Sequence, residues 1–370
     1  MRVGIERAAL LKAMSRAQGV VERRNTIPIL SNVLIEAADG AVSFRATDLD
    51  IEIREQAPAM VERAGAVTAP AHVLHEIARK LPDGAMVTMD ATAEGRLDVS
   101  AGRARFTLPT LPREDFPIMA SAEYQTSYEI PAPTLRRLFE KASFAISTEE
   151  TRYYLNGVYL HAPEGGAAVL RAVATDGHRL ARIDAALPAG AEGCPGVIVP
   201  RKTVGELRKL LEDDEAVIAV SVSETKIRFT AAELSLTSKV IDGSFPDYTR
   251  VIPTQNDKRL EVDADEFARA VDRVATVSAE RSRAVKLALA EDSLTLSVSS
   301  PDAASASDEI AVAYAHEPME IGFNAKYLLE IAGQVDRENA VLLFNGPGDP
   351  TLVREGDDES AIYVVMPMRV

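Results

Sequence analysis

The sequence predicts an α+β protein built from three tandem copies of one unit of roughly 123 residues. Two observations carry this. Residues 69–90, 199–223 and 323–346 each read as an amphipathic helix running into a strand, with starts about 130 and 124 residues apart. A second trio of helices recurs in phase with the first, and one chance pair of similar helices would not bring its strands along in the same order.

Taken from the amino end, the second trio of amphipathic helices is IERAALLKAMSRAQGVV (5–21), PAPTLRRLFEKASFAIS (131–147) and DADEFARAVDRVATVSAE (263–280). Between helices lie alternating strands, such as AVSFRATDLDIEIRE (41–55), SYEI (127–130) and SLTLSVSS (293–300), and they predict mostly antiparallel sheets. The second helix of each copy places Val73, Leu74, Ile77 and Leu81, then Val204, Leu207, Leu210 and Leu211, then Tyr327, Leu328, Ile331 and Val335 on one face. Each copy closes on a strand: RFTLPTLP (105–112), LSLTSKVI (234–241) and AIYVVMPM (361–368). Turn and linker residues near 125 and 254 divide the chain into 1–125, 126–253 and 254–370.

Composition narrows the class. The opening MRVGIERAALLKAMSRAQGV has charges spaced through it and no apolar secretory core, and no later run approaches the ~20 apolar residues that cross a bilayer. Cys194 is the single cysteine, so no internal disulfide forms, and a reducing cytoplasm fits best. Net charge is −15, which taken whole counts against nucleic acid. The charge is segregated, however. The helical windows are net basic, through residues such as Arg7, Lys12, Arg16, Arg23, Arg24, Arg136, Arg137, Lys141, Arg201, Lys202, Arg208 and Lys209, and the strands and loops hold the excess acid. Two readings stay open: ordinary solvated helix faces, or six helices lining one surface towards a polyanion. The second implies loose, sequence-blind contact to phosphates.

The stretch ATDGHRLAR (174–182) is the one that resembles catalytic chemistry, with Asp176 able to orient a His178 base. No nucleophile motif accompanies it. In the first copy TDLDIEI (47–53) takes the same place, and in the third SPDAASASDEIAV (300–312), so the stretch reads first as a structural turn. Asp48, Asp50 and Glu52 lie on one face of DLDIE, opposite Leu49, Ile51 and Ile53, which is the pattern of a plain amphipathic strand before that of a cation site. No metal spacing and no phosphate-binding loop occur, so no catalytic residue, metal or cofactor is expected. The carboxyl end is apolar to its last residues, and Met366, Pro367 and Met368 suit an adaptable groove for partner peptides.

RYYLNGVYL (152–160), ATDGHRLA (174–181), VIVPRK (197–202), SFPDYTRVIP (244–253) and YVVMPMRV (363–370) resemble the bacterial DNA polymerase III beta subunit family, the sliding clamps. IERAALLKAM and TIPILSNVLIEAADG (26–40) are similar to it too, so the likeness spans the chain. It implies three copies of the DNA-clamp fold per chain and a head-to-tail homodimeric ring, with twelve helices around double-stranded DNA. A partner-peptide pocket is implied between the second and third copies. Its residues would be Leu155, Thr175, Gly177, His178, Arg179 and Leu180, with Pro246, Arg250 and Val251, and the terminal Val364, Met366, Pro367, Met368 and Arg369. Asn324 and Tyr327 would stand beside it. Arg24, Arg152, Tyr153, Tyr154 and Arg201 would face DNA, and Phe106 and Leu108 of one chain would meet the helix near Thr276 and Val277 of the other.

The function implied is that of a non-catalytic processivity factor that slides on DNA and tethers the replicative polymerase, other polymerases and repair proteins through short hydrophobic peptides. A separate ATP-driven loader would open the ring. A tandem-repeat interaction scaffold that never encloses DNA is the rival from another class, and an enzyme using Asp176 and His178 is a distant third.

Overall fold

The computed structural model describes all residues except 23–25, 93, 279–283, 300–303, 337–338 and 370. Among the described residues there are six α-helices, two in each copy as the repeat requires: α1 (Arg7–Val20) and α2 (Ala71–Lys80), α3 (Ala132–Ser143) and α4 (Arg201–Leu210), α5 (Ala264–Ala275) and α6 (Ala325–Ala332). The helix α5 shows why these segments fold so. Phe267, Ala270, Val271 and Val274 recur at helical spacing and are all buried, and the Asp263 side chain accepts from the Glu266 amide to cap the first turn. Of the apolar residues expected on the second helices, Val73 departs, standing exposed while Leu74, Ile77 and Leu81 are buried.

Compact packing divides the chain into two units. The first comprises Met1–Arg136, Pro188–Pro195 and Lys202–Val240; the second comprises Arg137–Leu187, Gly196–Arg201 and Ile241–Val370. The middle copy is thus shared between them. The cause lies in the sheets. In the first unit an eight-stranded sheet joins the strands Thr126–Pro131, Val217–Val222, Lys226–Ala231 and Leu234–Lys239 of the second copy to Ile51–Pro58, Ala41–Thr47, Asn32–Ala38 and Gly65–Pro70 of the first. Its seam pairs Leu236 with Ile53 and Ser238 with Ile51, antiparallel. In the second unit a nine-stranded sheet is built the same way, and its seam pairs Val364 with Leu180 and Tyr363 with Ala181.

The remaining sheets have five strands in the first unit and four in the second, and each ends on a strand that the seam pattern leaves over. Ala104–Pro109 is the first copy's counterpart of Leu234–Lys239 and Asp358–Val365, and it forms an edge. Ser305–Ala311, the third copy's counterpart of Ile51–Pro58 and Arg179–Ala186, forms another.

AVSFRATDLDIEIRE does not run as one strand. Ala41–Thr47 and Ile51–Pro58 are separate strands, and 48–50 make the turn between them, so Asp48 and Asp50 do not sit on a strand face with Glu52. The Thr47 hydroxyl donates to the Ile51 carbonyl and accepts from the Leu49 amide, while Asp48 Oδ1 accepts from the Asp50 and Ile51 amides. The second copy repeats this network atom for atom: Thr175 binds the Arg179 carbonyl and the Gly177 amide, and Asp176 Oδ1 accepts from the His178 and Arg179 amides. The stretch is a structural turn, as the repeat comparison predicts. The matching third-copy residues 300–303 lie outside the described residues.

The third position of the turn needs a left-handed backbone, with φ +89° at Gly177 and φ +80° at Leu49. An L side chain there costs roughly 1–2 kcal/mol. At Gly177 a Cβ would also stand 2.5 Å from Arg152 Nη1. Gly177→Ala should therefore lower stability by about 1–2 kcal/mol. Leu49→Gly should hold or slightly raise it, since Leu49 is 43% exposed and little burial is lost. Urea midpoints of the two variants check this, and a marked fall for Leu49→Gly would contradict it.

Candidate functional site

The turn at 175–179 forms one lip of an apolar groove in the second unit. Thr175, Gly177, His178, Arg179 and Leu180 come from the turn and the strand after it, and Leu155 from the end of the short helical segment Glu150–Leu155. Pro246, Asp247, Tyr248 and Val251 come from the irregular segment that ends the second copy, and Val364 and Met366 from the end of the last strand and the residue after it. The cavity is about 220 Å³. That is room for one or two aliphatic side chains at ~0.8 kcal/mol per buried methylene. Val251, Met366 and Met368 remain 49%, 39% and 37% exposed, far above what apolar side chains of this size keep in a core.

The lip is rigid. Arg179 is 7% exposed, and its guanidinium binds Asp176 Oδ2 at 3.1 Å, the Glu330 carboxylate and the Phe144 carbonyl at 2.6 Å. It also lies over the Tyr327 ring, 4.4 Å from its centre, and 5.1 Å from that of Phe144. The Met366 amide donates to the His178 carbonyl at 2.9 Å and so binds the chain's end to the turn. Both Asp176 oxygens are engaged, one by backbone amides and one by Arg179, so the carboxylate does not orient the His178 ring, which stacks at 6.4 Å on Tyr327. The acid–base arrangement that the sequence allowed is not assembled.

Behind the groove lies a polar cluster. Tyr248 packs on Val173, Leu180 and Val364, and its hydroxyl meets Arg171 Nη1 at 3.1 Å and His161 Nε2 at 3.1 Å. Arg171 is held bidentately by Asp184 at 2.6 and 2.7 Å. Burial, with Arg171 adding to it, pulls the His161 imidazole down to about 4, so it is neutral at ordinary pH. Its ring stacks on Tyr159 at 4.4 Å, and Tyr159 stacks on Phe245 at 5.0 Å.

Ten of the residues assigned to the pocket from sequence line this groove; the others take neighbouring places. Arg250 is exposed on the turn Tyr248–Val251. Asn324 caps α6 by accepting from the Lys326 amide, and Tyr327 stands beyond Arg179. Pro367 follows Met366, the Met368 amide donates to the Gly322 carbonyl at 2.8 Å, and Arg369 is exposed. Asp247 and Tyr248 line the groove without having been singled out. Their segment has no helical or strand spacing to mark it, and Tyr248 is found only through the aromatic and ionic cluster behind it.

Of the expected DNA-facing residues, Arg24 lies outside the described residues. Arg152 is bound by Glu149 at 2.7 and 2.8 Å, and this bond holds the Glu149 carboxyl below its usual range. Tyr153 is 54% exposed, Tyr154 stacks edge-on against it, and Arg201 is exposed at the start of α4. At the expected seam, Phe106 is half-buried on the edge strand. Leu108 is 6% exposed and already covered within its own unit. Thr276 ends α5, its hydroxyl on the Asp272 carbonyl, and Val277 is half-buried.

The first unit carries the same turn with different side chains at the joint. There the Lys239 amide donates to the Asp50 carbonyl at 2.8 Å, the equivalent of Met366 on His178, but the side chains form an ion pair at 2.9 Å. Asp48 binds Lys202, and Glu52 accepts from the Met119 amide at 2.9 Å, so the three carboxylates of DLDIE each have a separate partner.

Family models for the DNA polymerase III beta subunit match in order along the chain: the N-terminal domain at residues 1–120, the central domain at 129–247 and the C-terminal domain at 249–369. The beta sliding clamp of Caulobacter vibrioides is 54% identical over 372 residues and that of Escherichia coli 38% over 373, each match covering 100% of both chains. Among solved structures, the Bartonella birtlesii sliding clamp bound to griselimycin superposes with a TM-score of 0.97 at 47% identity, covering 100% of both chains. A Caulobacter crescentus beta sliding clamp superposes at 0.96 with 54% identity, covering 100% of this chain and 99% of that one. By sequence and by fold, along its whole length, the chain belongs to the DNA polymerase III beta subunit family, the bacterial beta sliding clamps.

Proposed function

We propose that the protein works as a homodimeric ring around duplex DNA, as a replication processivity factor that holds polymerase III at the primer end. The single observation that carries this is the unbroken likeness to beta sliding clamps across all three copies. The ring has no catalytic residue of its own and works in the cytoplasm. Tethering raises the polymerase's effective concentration at its substrate without changing the polymerase's active site. The copies divide at 125/126 and 253/254.

Closure uses the two edges left over by the seam pattern. Ala104–Pro109 of one protomer pairs with Ser305–Ala311 of the partner, repeating between chains the pairing that joins successive copies within one. Exposed Arg105 on one edge and Glu309 on the other suit each other in charge. Phe106 belongs to this seam, and Leu108 supports it from within its own unit, opposite the α5 end at Thr276 and Val277. Arg24, Arg152, Tyr153, Tyr154 and Arg201 face the DNA, meeting phosphates and stacked bases without reading sequence.

The groove beside Met366 docks short hydrophobic peptides of the replicative polymerase, the ATP-driven clamp loader, and other polymerases and repair proteins. Aliphatic anchors enter among Leu155, Leu180, Val251 and Val364. His178, Arg179, Tyr327, Asn324 and Arg369 present polar groups at its margin, with Arg250, Pro367 and Met368 along the rim.

Three outcomes are expected. Protein loaded on nicked circular DNA survives a wash at 1 M salt and is lost when the circle is linearised, because threading does not depend on phosphate contacts; equal loss from both forms would contradict enclosure. Met366→Ala with Met368→Ala abolishes binding of a labelled polymerase carboxy-terminal peptide and leaves the dimer intact by sedimentation; unchanged affinity would remove the groove from the mechanism. Phe106→Lys shifts sedimentation towards monomer, and a dimer as tight as the parent would move the seam elsewhere.

A further inference from the structure

The groove's two faces are held in different ways. The 175–180 lip belongs to a sheet, and its turn is pinned by backbone hydrogen bonds. The opposite face, 244–251, belongs to no strand and rises from an irregular stretch with one short helical turn. What fixes it is the back of Tyr248. This ring lines the groove on one side, is 7% exposed, and carries a hydroxyl that reaches Arg171 and His161 on the other.

Donor chemistry orders this contact. A guanidinium only donates, so Arg171 gives a proton to the Tyr248 oxygen. The hydroxyl keeps its own hydrogen to give, and with His161 Nε2 bare and the ring's proton on Nδ1 that hydrogen runs to the imidazole. Asp184 fixes Arg171 at the start of this chain of bonds, and the Tyr159 stack fixes the imidazole plane at its end. Tyr159 also stacks on Phe245, next to Pro246 of the groove, so both fixed points of the irregular face lead back to the same strand.

We propose that Tyr248 is the positioning residue that sets the depth of the docking groove, through a directed chain of hydrogen bonds from Arg171 through Tyr248 to His161. This rests on the reading of the groove as a peptide-docking site. Without the chain, the ring is free to tilt towards Val251, and the aliphatic anchor of a docked peptide meets a shallower floor. His161 and Arg171 touch no peptide. They act through Tyr248.

The test uses the full-length dimer and a labelled polymerase carboxy-terminal peptide. Tyr248→Phe and His161→Phe should each weaken peptide binding about tenfold, and the double variant no further than Tyr248→Phe, because both remove the Tyr248–His161 bond. His161→Gln, which restores an acceptor, should recover affinity to within about twofold of the parent. Nitrogen-15 NMR of the parent should show His161 as the Nδ1–H tautomer. A purely structural role would lower the thermal midpoint of each variant, leave the affinity of the folded protein alone and add in the double variant. Affinities within twofold of the parent for both single variants, with Met366→Ala still abolishing binding, would overturn the positioning role and leave the docking site standing. Full affinity in Met366→Ala would overturn both. An Nε2–H tautomer would reverse the order of donors and overturn the chain of bonds.

Discussion

Strand pairing between successive copies is the constraint on which the rest of the molecule depends. The last strand of a copy has one neighbour inside its own copy and finds its second in the copy before it, in the pairs Leu234–Glu55 to Ser238–Ile51 and Ala361–Ile183 to Val365–Arg179. Separating copies would strip a row of backbone groups of their partners, at roughly 1–3 kcal/mol for each one left buried and unsatisfied. The chain therefore packs across its repeat boundaries, and the middle copy is shared between two compact units.

The same constraint explains where the groove lies. Both seams end beside a Thr-Asp turn whose fourth residue accepts from the amide of the departing strand. At the first seam Lys239 and Asp50 meet in an ion pair. At the second, Met366 and His178 present an apolar thioether and a ring in the equivalent places, and the chain continues through Pro367 and Met368. Backbone geometry is shared; the side chains decide which joint is open. Arg179 stabilises the open one from beneath. Its charge is matched by Asp176 and Glu330 and covered by Tyr327 and Phe144, so a buried cation serves as a rigid base.

Much of this was legible in the sequence, for identifiable reasons. Helical spacing marked all six helices because each buries one face, as Phe267 to Val274 does. Comparison of TDGHRLA with TDLDIEI revealed the turn because Thr and Asp make its hydrogen bonds, while the residues at its third and fourth places differ between the two copies. Three things were not legible. Leu49 adopts a left-handed backbone that alternation read as strand, since the pattern carries no sign of φ. The burial of Leu108 within its own unit did not show in the sequence, since it comes from Leu97, which pairs across from it on the neighbouring strand. Tyr248 and Asp247 escaped because an irregular segment has no period, and the Tyr248 partners His161 and Arg171 are distant in sequence.

The two leftover edges are unlike each other: one comes from the first copy and the other from the third, with Arg105 on one and Asp308 and Glu309 on the other. A contact between unlike surfaces has a direction, and a cycle closed through such contacts keeps it, with its rotation axis running through the opening. The front and back of such an assembly are chemically distinct, and equivalent grooves emerge on the same side. Every enzyme recruited there would approach the double helix with one heading.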